Sequence, residues 1–253
     1  MDEIDFKNLL NSLFLKNNVL ISKDEQEKLY LYMKNLSDWN QRINLTAIKE
    51  EKEIVVKHFL DSVIIKDKIV GNKVLDIGSG AGFPGIPLKL FNENLDVVLL
   101  DAVQKKVNFM NDTIGKLELK NVVAFHGRAE DFAHEKKWRE SFDTVVSRAV
   151  ANMSTLVEYM LPFVKVGGKC LCMKGPDCEI EINAAKKAIR ILGGKIEEVV
   201  DYSVDENDRC LVIISKIKNT EQIYPRKQGK PLKNPLTAAK LTGSCRIASR
   251  LAE

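Results

Sequence analysis

Cysteine is scarce and follows no pattern. The 253 residues contain five, with no C-x-x-C and no regular spacing. That excludes a secreted scaffold stapled by disulfides and points to a reducing cytosol. In "KCLCMK", Cys170 and Cys172 flank Leu171 and should lie on one face of a strand as small buried side chains. Only three histidines are present, and none is spaced with cysteine as in a metal centre, so no metal is expected. No apolar run approaches the ~20 residues that span a bilayer. The start, "MDEIDFKNLL", is acidic where a signal peptide would be basic, so no membrane partner and a cytoplasmic location are expected. Internal repeats and low-complexity segments are also lacking.

What remains is an ordinary globular composition, 45% hydrophobic and 29% charged, long enough to bury a core without staples. The net charge of +4 is unevenly placed. From Lys216 to Glu253 there are nine Lys or Arg against two Asp or Glu, so the other 215 residues carry −3. Such asymmetry marks a basic arm.

Residues 1 to about 70 read as helices. "SKDE", Ser22 to Glu25, is a capping box, and Leu29, Met33, Leu36 and Ile43 follow at roughly helical spacing. A further helix should carry Ile54, Val55, Phe59 and Val63. After Lys73 the rhythm changes to short apolar runs alternating with amphipathic segments. Strands are expected at "KVLDIG", "DVVLLD", "NVVAFHG", "FDTVVSR", "GGKCLCMK", "IEEVVDYSV" and "CLVIISK". Helices are expected near 84–92, 105–117, 153–161 and 178–192. This alternation predicts an α/β fold with a mostly parallel seven-stranded sheet. The short turn "DENDR" before the last strand makes that strand antiparallel. Three units are expected: a helical extension (1–70), the α/β domain (71–218) and the basic arm (219–253). The end, "TAAKLTGSCRIASRLAE", reads as a native helix or partly as a non-native remnant, and carries no weight in the fold.

The stretch "KVLDIGSGAGFPGIPLKL" is a strand, a glycine turn and the start of a helix. Two cofactor templates compete for it. "GAGFPG" matches the dinucleotide fingerprint G-x-G-x-x-G, on which an NAD-dependent oxidoreductase could be built. "DIGSGAG" reads instead as Asp76 followed by Gly78, Gly80 and Gly82, which resembles motif I of S-adenosylmethionine-dependent methyltransferases. A pyrophosphate seeks a helix N-terminus free of anions, whereas the sulfonium and amino groups of S-adenosylmethionine are cations that suit a nearby carboxylate. At the next strand end Asp101 can accept both hydroxyls of a ribose in either template. After the third strand, Glu130 or Asp131 of "HGRAEDF" could reach the adenine end.

The fourth strand ends in Ser147, Arg148 and Ala149. The Asn/Asp-Pro-Pro-aromatic tetrad of amino-group methyltransferases is not there. Cys178, in "GPDC", lacks the context of a cytosine-C5 nucleophile. The site thus reads as having neither nucleophile nor base, which suits a target that loses no proton.

"WNQRINLTAI", "HFLDS", "LDIGSGAGFPGIPLKL", "LLDAVQKKVNFM", "GRAED", "VVSRAVA", "LPFVKVGGKCLCMKG" and "YPRKQGKP" together resemble the RsmG (GidB) family over roughly residues 25 to 235. That family methylates guanine N7 in bacterial small-subunit ribosomal RNA. The resemblance implies a class I methyltransferase fold with an N-terminal helical extension and S-adenosyl-L-methionine as cofactor. It implies cofactor contacts at Gly78, Phe83, Ala129, Glu130 and Arg148. The residue reading adds Gly80 and Asp101. No catalytic residue is assigned. Asn44, His58, Asp61, Arg148 and Lys174 are candidates for a guanine pocket. Arg226, Lys227, Lys230 and Lys233, close to Tyr224 with no acid between them, are candidates for RNA phosphates. The RNA partner could be ribosomal RNA itself, the 30S subunit or an assembly intermediate. A non-catalytic RNA-binding assembly factor is the remaining alternative.

Overall fold

The computed structural model describes residues 1–148, 150–176 and 178–237. The final basic stretch from residue 238, with Cys245, lies outside the described residues. Seven strands form one sheet: β1 (Lys73–Ile77), β2 (Asp96–Asp101), β3 (Val122–His126), β4 (Phe142–Arg148), β5 (Val164–Lys174), β6 (Gly194–Val204) and β7 (Asn207–Lys216). Their order is β3-β2-β1-β4-β5-β7-β6. The pairs β1·β2, β1·β4, β2·β3 and β4·β5 are parallel, and β7 runs antiparallel to both β5 and β6. All seven strand expectations are realised, including the reversed last strand.

Alternation along each strand sends side chains to two separate cores. Val74, Val97, Leu99, Val146, Leu171 and Met173 face one layer, whereas Leu75, Val98, Leu100, Val145, Cys170 and Cys172 face the other. The first layer is built by α1 (Glu3–Lys16), α2 (Lys23–Asn40), a helical run through α3 (Glu51–Ile54) and α4 (Asp61–Val63), α5 (Gly85–Leu90) and α6 (Gln104–Lys116). The short α7 (Ala129–Phe132), then α8 (Met153–Met160) and α9 (Glu179–Ile191), build the second. The capping box forms as expected, with Ser22 and Glu25 exchanging side-chain-to-backbone hydrogen bonds. Between α3 and α4 the helix widens into a π turn, Val55–Leu60, for which the sequence carries no signal.

The cysteine expectation needs correction. Cys178 and Cys210 form a disulfide across 32 residues, while Cys170 and Cys172 are buried thiols. Sequence spacing could not reveal the pair. It forms because the antiparallel β7 lies beside β5 and places its first residues under the start of α9.

The chain after β7 is strapped to the second core over the described part. Arg139 donates to the carbonyls of Thr220 (2.7 Å), Tyr224 (2.8 Å) and Glu221 (3.0 Å). Buried Lys216 donates to the Leu161 carbonyl and to Thr220 Oγ1, both at 2.6 Å. The strap ends in α10 (Lys230–Lys233).

Candidate active site

Parallel strands end together, so their C-terminal loops share one edge of the sheet. Connections from β1 and β4 leave in opposite directions there, and the gap between them is where an open α/β sheet takes a ligand. The structure has a cleft of about 820 Å³ at this point. Its wall includes Gly78, Gly80, Phe83, Asp101, Arg148 and Lys174.

The glycine turn is held from several sides. The Gly78 N–H donates to the Leu100 carbonyl (2.8 Å), and the Gly80 N–H donates to Asp101 Oδ2 (2.8 Å). The Val103 N–H donates to Asp101 Oδ1 (2.8 Å), so each carboxylate oxygen keeps a lone pair for a further donor. Gly80 has φ +60°, and a Cβ built on it would meet nothing nearer than the Gly78 carbonyl at 3.9 Å. The wall there is bare backbone, open to close approach by a ligand. Behind the turn sits Asp76. Its Oδ2 accepts from the Gly85 N–H (2.8 Å), but its buried Oδ1 has no partner among the described residues. Burial raises its carboxyl to about 7, against the lowering effects of the Gly85 hydrogen bond and Arg148. From α2, the Tyr32 hydroxyl donates to the Ala81 carbonyl inside the turn.

Opposite the turn, Arg148 at the end of β4 is fixed by four groups. One guanidinium nitrogen donates to the Lys57 carbonyl (2.8 Å) and to Asp61 Oδ2 (3.0 Å); the other donates to His58 Nδ1 (3.1 Å). Its guanidinium carbon lies 5.2 Å from the centre of the Phe83 ring. The Lys57 carbonyl that accepts from Arg148 belongs to the π turn. Asp61, 2% exposed, also accepts from Tyr202 (3.1 Å) and lies 3.6 Å from Arg209 Nε. His58 stacks on Phe83 with ring centres 4.6 Å apart. Burial first, then the neighbouring Arg148 charge, push its imidazole down to about 3. It is therefore neutral at any ordinary pH.

These observations fit S-adenosylmethionine. A bare glycine turn, a carboxylate at the second strand end with lone pairs in reserve, and an aromatic ring at Phe83 line one cleft. The Gly80 N–H, which a pyrophosphate would seek, is already given to Asp101. Ala129 and Glu130, expected as cofactor contacts, start α7 and are not part of the cleft wall. The Glu130 carboxylate is turned to the C-terminal strap, where it accepts from the Gly229 N–H (3.1 Å). No cluster of three or more His, Cys, Asp or Glu able to hold a metal occurs among the described residues.

Residues 25–212 match the GidB family, described as rRNA small subunit methyltransferase G. The chain belongs to the GidB family. Relatives of nearly full length agree. The ribosomal RNA small subunit methyltransferase G of Clostridium botulinum (strain ATCC 19397 / Type A) is 47% identical over 238 residues, covering 92% of this chain and all of its own. Its namesake from Clostridium tetani is also 47% identical, covering 91% of this chain and 99% of its own. Solved structures share the fold at lower identity. M. capricolum TrmK in complex with S-adenosyl-homocysteine superposes with a TM-score of 0.50 at 16% identity over 63% of this chain and 69% of its own. A mutant of MtNAS in complex with S-adenosylmethionine gives a TM-score of 0.50 at 15% identity over 77% and 76%. As a GidB member the chain is an S-adenosylmethionine-dependent methyltransferase acting on ribosomal RNA. The oxidoreductase reading of "GAGFPG" ends here.

Of the pocket candidates, His58, Asp61, Arg148 and Lys174 reach the cleft; Asn44 is exposed and stands off its wall. Among the phosphate candidates, Lys227, Lys230 and Lys233 are exposed. Arg226 is different. Its Nε and Nη2 grip both oxygens of Glu158 (2.9 and 2.7 Å), and Glu158 is 0% exposed. Sequence reasoning missed Tyr32, Thr46, Tyr202 and Arg209. Thr46 lies within the quoted stretch "WNQRINLTAI", whereas Tyr32, Tyr202 and Arg209 come from distant elements that no local pattern marks.

Proposed function

We propose that the chain methylates N7 of a guanine in 16S ribosomal RNA without a general base. When bound, S-adenosylmethionine supplies an electrophilic methyl group on a sulfonium. Its transfer to the N7 lone pair would leave no proton to remove, so no residue of the chain would have to act as a base. Gly78, Gly80, Phe83, Asp101 and Arg148 hold the cofactor, with Ala129 and Glu130 offering backbone groups at its adenine end. The protein's part is alignment of the base with the methyl carbon at roughly 3–3.5 Å.

The observation that carries this reading is that every candidate base on the cleft wall among the described residues is occupied. His58 is held at about 3 by burial and Arg148. Asp61 is shared by Arg148, Tyr202 and Arg209. Asp101 binds two backbone N–H groups and would spend its remaining lone pairs on the cofactor's ribose hydroxyls, and Glu181 pairs with Lys174 at 2.7 Å. An exocyclic amine, which must lose a proton, would find no acceptor; N7 needs none. Lys227, Lys230 and Lys233 contact RNA phosphates, and the substrate is rRNA in the 30S subunit or its precursor, in the cytoplasm. No helix among the described residues is long and apolar enough to cross a membrane. The test is methyl transfer to small subunits lacking the modification, followed by borohydride and aniline treatment, which cleaves at N7-methylguanosine. Scission at one labelled position is expected. Full transfer with no scission would overturn the N7 assignment.

A further inference from the structure

Thr46 is placed where a hydroxyl can act in only one way. Arg148 can only donate, so His58 Nδ1, 3.1 Å from its Nη2, must accept. The neutral ring therefore carries its proton on Nε2. That nitrogen lies 2.8 Å from Thr46 Oγ1, so it donates to the hydroxyl. The Ile48 N–H donates to the same oxygen at 3.1 Å. Both lone pairs of Thr46 Oγ1 are thus filled, and its own proton has no acceptor among the described residues. The backbone around it is fixed as well, because the Asn40 side chain bonds both the N–H (3.1 Å) and the carbonyl (3.0 Å) of Thr46. Thr46 lines the cleft.

The other donors there differ in kind. The Ser79 hydroxyl donates to the Asp76 carbonyl (2.9 Å), and the Lys174 ammonium is shared by Glu181 (2.7 Å) and the Ala151 carbonyl (2.8 Å). Lys106 is a charged group on a flexible stem that suits a phosphate. Thr46 alone among these offers a neutral, fixed proton, which suits a neutral acceptor such as a carbonyl.

Resting on the N7 reading above, we propose that the Thr46 hydroxyl donates to O6 of the target guanine and so selects guanine over adenine. The base edge that exposes N7 shows O6, an acceptor, in guanine, and an amino donor in adenine. A hydroxyl locked by Arg148 through His58 cannot turn round to accept. Adenine would set two donors face to face.

The test compares wild type, Thr46→Val and Thr46→Ser on small subunits whose rRNA carries either guanine or 2-aminopurine at the target. 2-Aminopurine keeps N7 but lacks O6. Thr46→Val is expected to slow transfer to guanine by about 10- to 100-fold, the loss of one partner of a buried hydrogen bond. It should shrink the preference for guanine over 2-aminopurine by the same factor, Thr46→Ser should restore both, and S-adenosylmethionine affinity should not move. An unchanged guanine preference in Thr46→Val would overturn the proposal, whatever the rate. So would a fall in cofactor affinity, which would assign the hydroxyl to the cofactor. Transfer by wild type to a site other than N7 is read separately by strand scission and would remove the N7 reading along with this contact.

Discussion

At the scale of single residues, two buried groups, His58 on the cleft wall and Asp76 behind the glycine turn, have opposite proton preferences. His58 ionises in the unfolded chain at ~6.5 but in the folded protein only at about 3. Its contribution to stability is complete above ~6.5 and is lost as pH falls toward 3. Asp76 is raised to about 7, so its contribution is complete below its unfolded value of ~3.9 and is lost as pH rises through 7. Between pH 8 and 5 the histidine costs about 2 kcal/mol and the aspartate returns about 2–3 kcal/mol, so the two slopes nearly cancel. Single variants should unmask them. Relative to wild type, His58→Gln should gain stability on moving from pH 8 to 5, and Asp76→Asn should lose it. Urea unfolding at the two pH values measures both. Profiles of both variants that run parallel to wild type would show that neither group titrates as described.

At the scale of elements, the N-terminal helices do more than cover a face of the sheet. Helix α2 delivers Tyr32, whose ring stacks on Phe83 (centres 5.2 Å apart) and whose hydroxyl holds the Ala81 carbonyl of the glycine turn. A Cβ on Gly82 would lie 2.7 Å from that hydroxyl, so the helix and the turn are in contact with no room between them. Tyr32→Phe should lower stability by about 1–2 kcal/mol, because it strands a buried carbonyl, and should weaken S-adenosylmethionine binding as the turn relaxes. Calorimetric titration beside thermal unfolding checks both, and unchanged cofactor affinity would mean that the turn keeps its shape without the helix. This link shows where the sequence can be read and where it cannot. The seven strands, the capping box at Ser22 and the glycine turn are local patterns with a fixed period or spacing, and each was legible. Gly80 and Asp101, read from the turn and the strand end, and Gly78, Phe83 and Arg148, implied by the family resemblance, all lie on the cleft wall. Arg209 reaches the cleft, and Tyr32 and Tyr202 support its wall from behind, only through tertiary packing; the π turn has no residue signature, and the Cys178–Cys210 pair depends on strand order. Those became visible only in three dimensions.

At the scale of the whole molecule, burial divides the basic residues of the C-terminal strap between an inward and an outward face. Arg226 faces inward to Glu158, with side chains 14% and 0% exposed. Lys227, Lys230 and Lys233 face outward from the same segment. Removing Arg226 would leave a buried carboxylate without its partner, at a cost of about 3–5 kcal/mol. It should also loosen the Gly229 contact to Glu130, and so disturb the cofactor side of the molecule. Removing the three lysines touches no buried group, so stability should stay within about 0.5 kcal/mol. If each neutralises one phosphate of a single-stranded segment, the salt dependence of RNA binding should lose about 0.7 in slope per lysine, or about 2 in total. The measurement is small-subunit affinity across a salt series for wild type and the triple alanine variant, with unfolding and cofactor titration on Arg226→Ala beside it. Parallel salt slopes would show that the lysines are merely solvated. An Arg226→Ala protein of full stability that binds RNA more weakly would instead return Arg226 to the RNA surface and make Glu158 its resting place in the free protein.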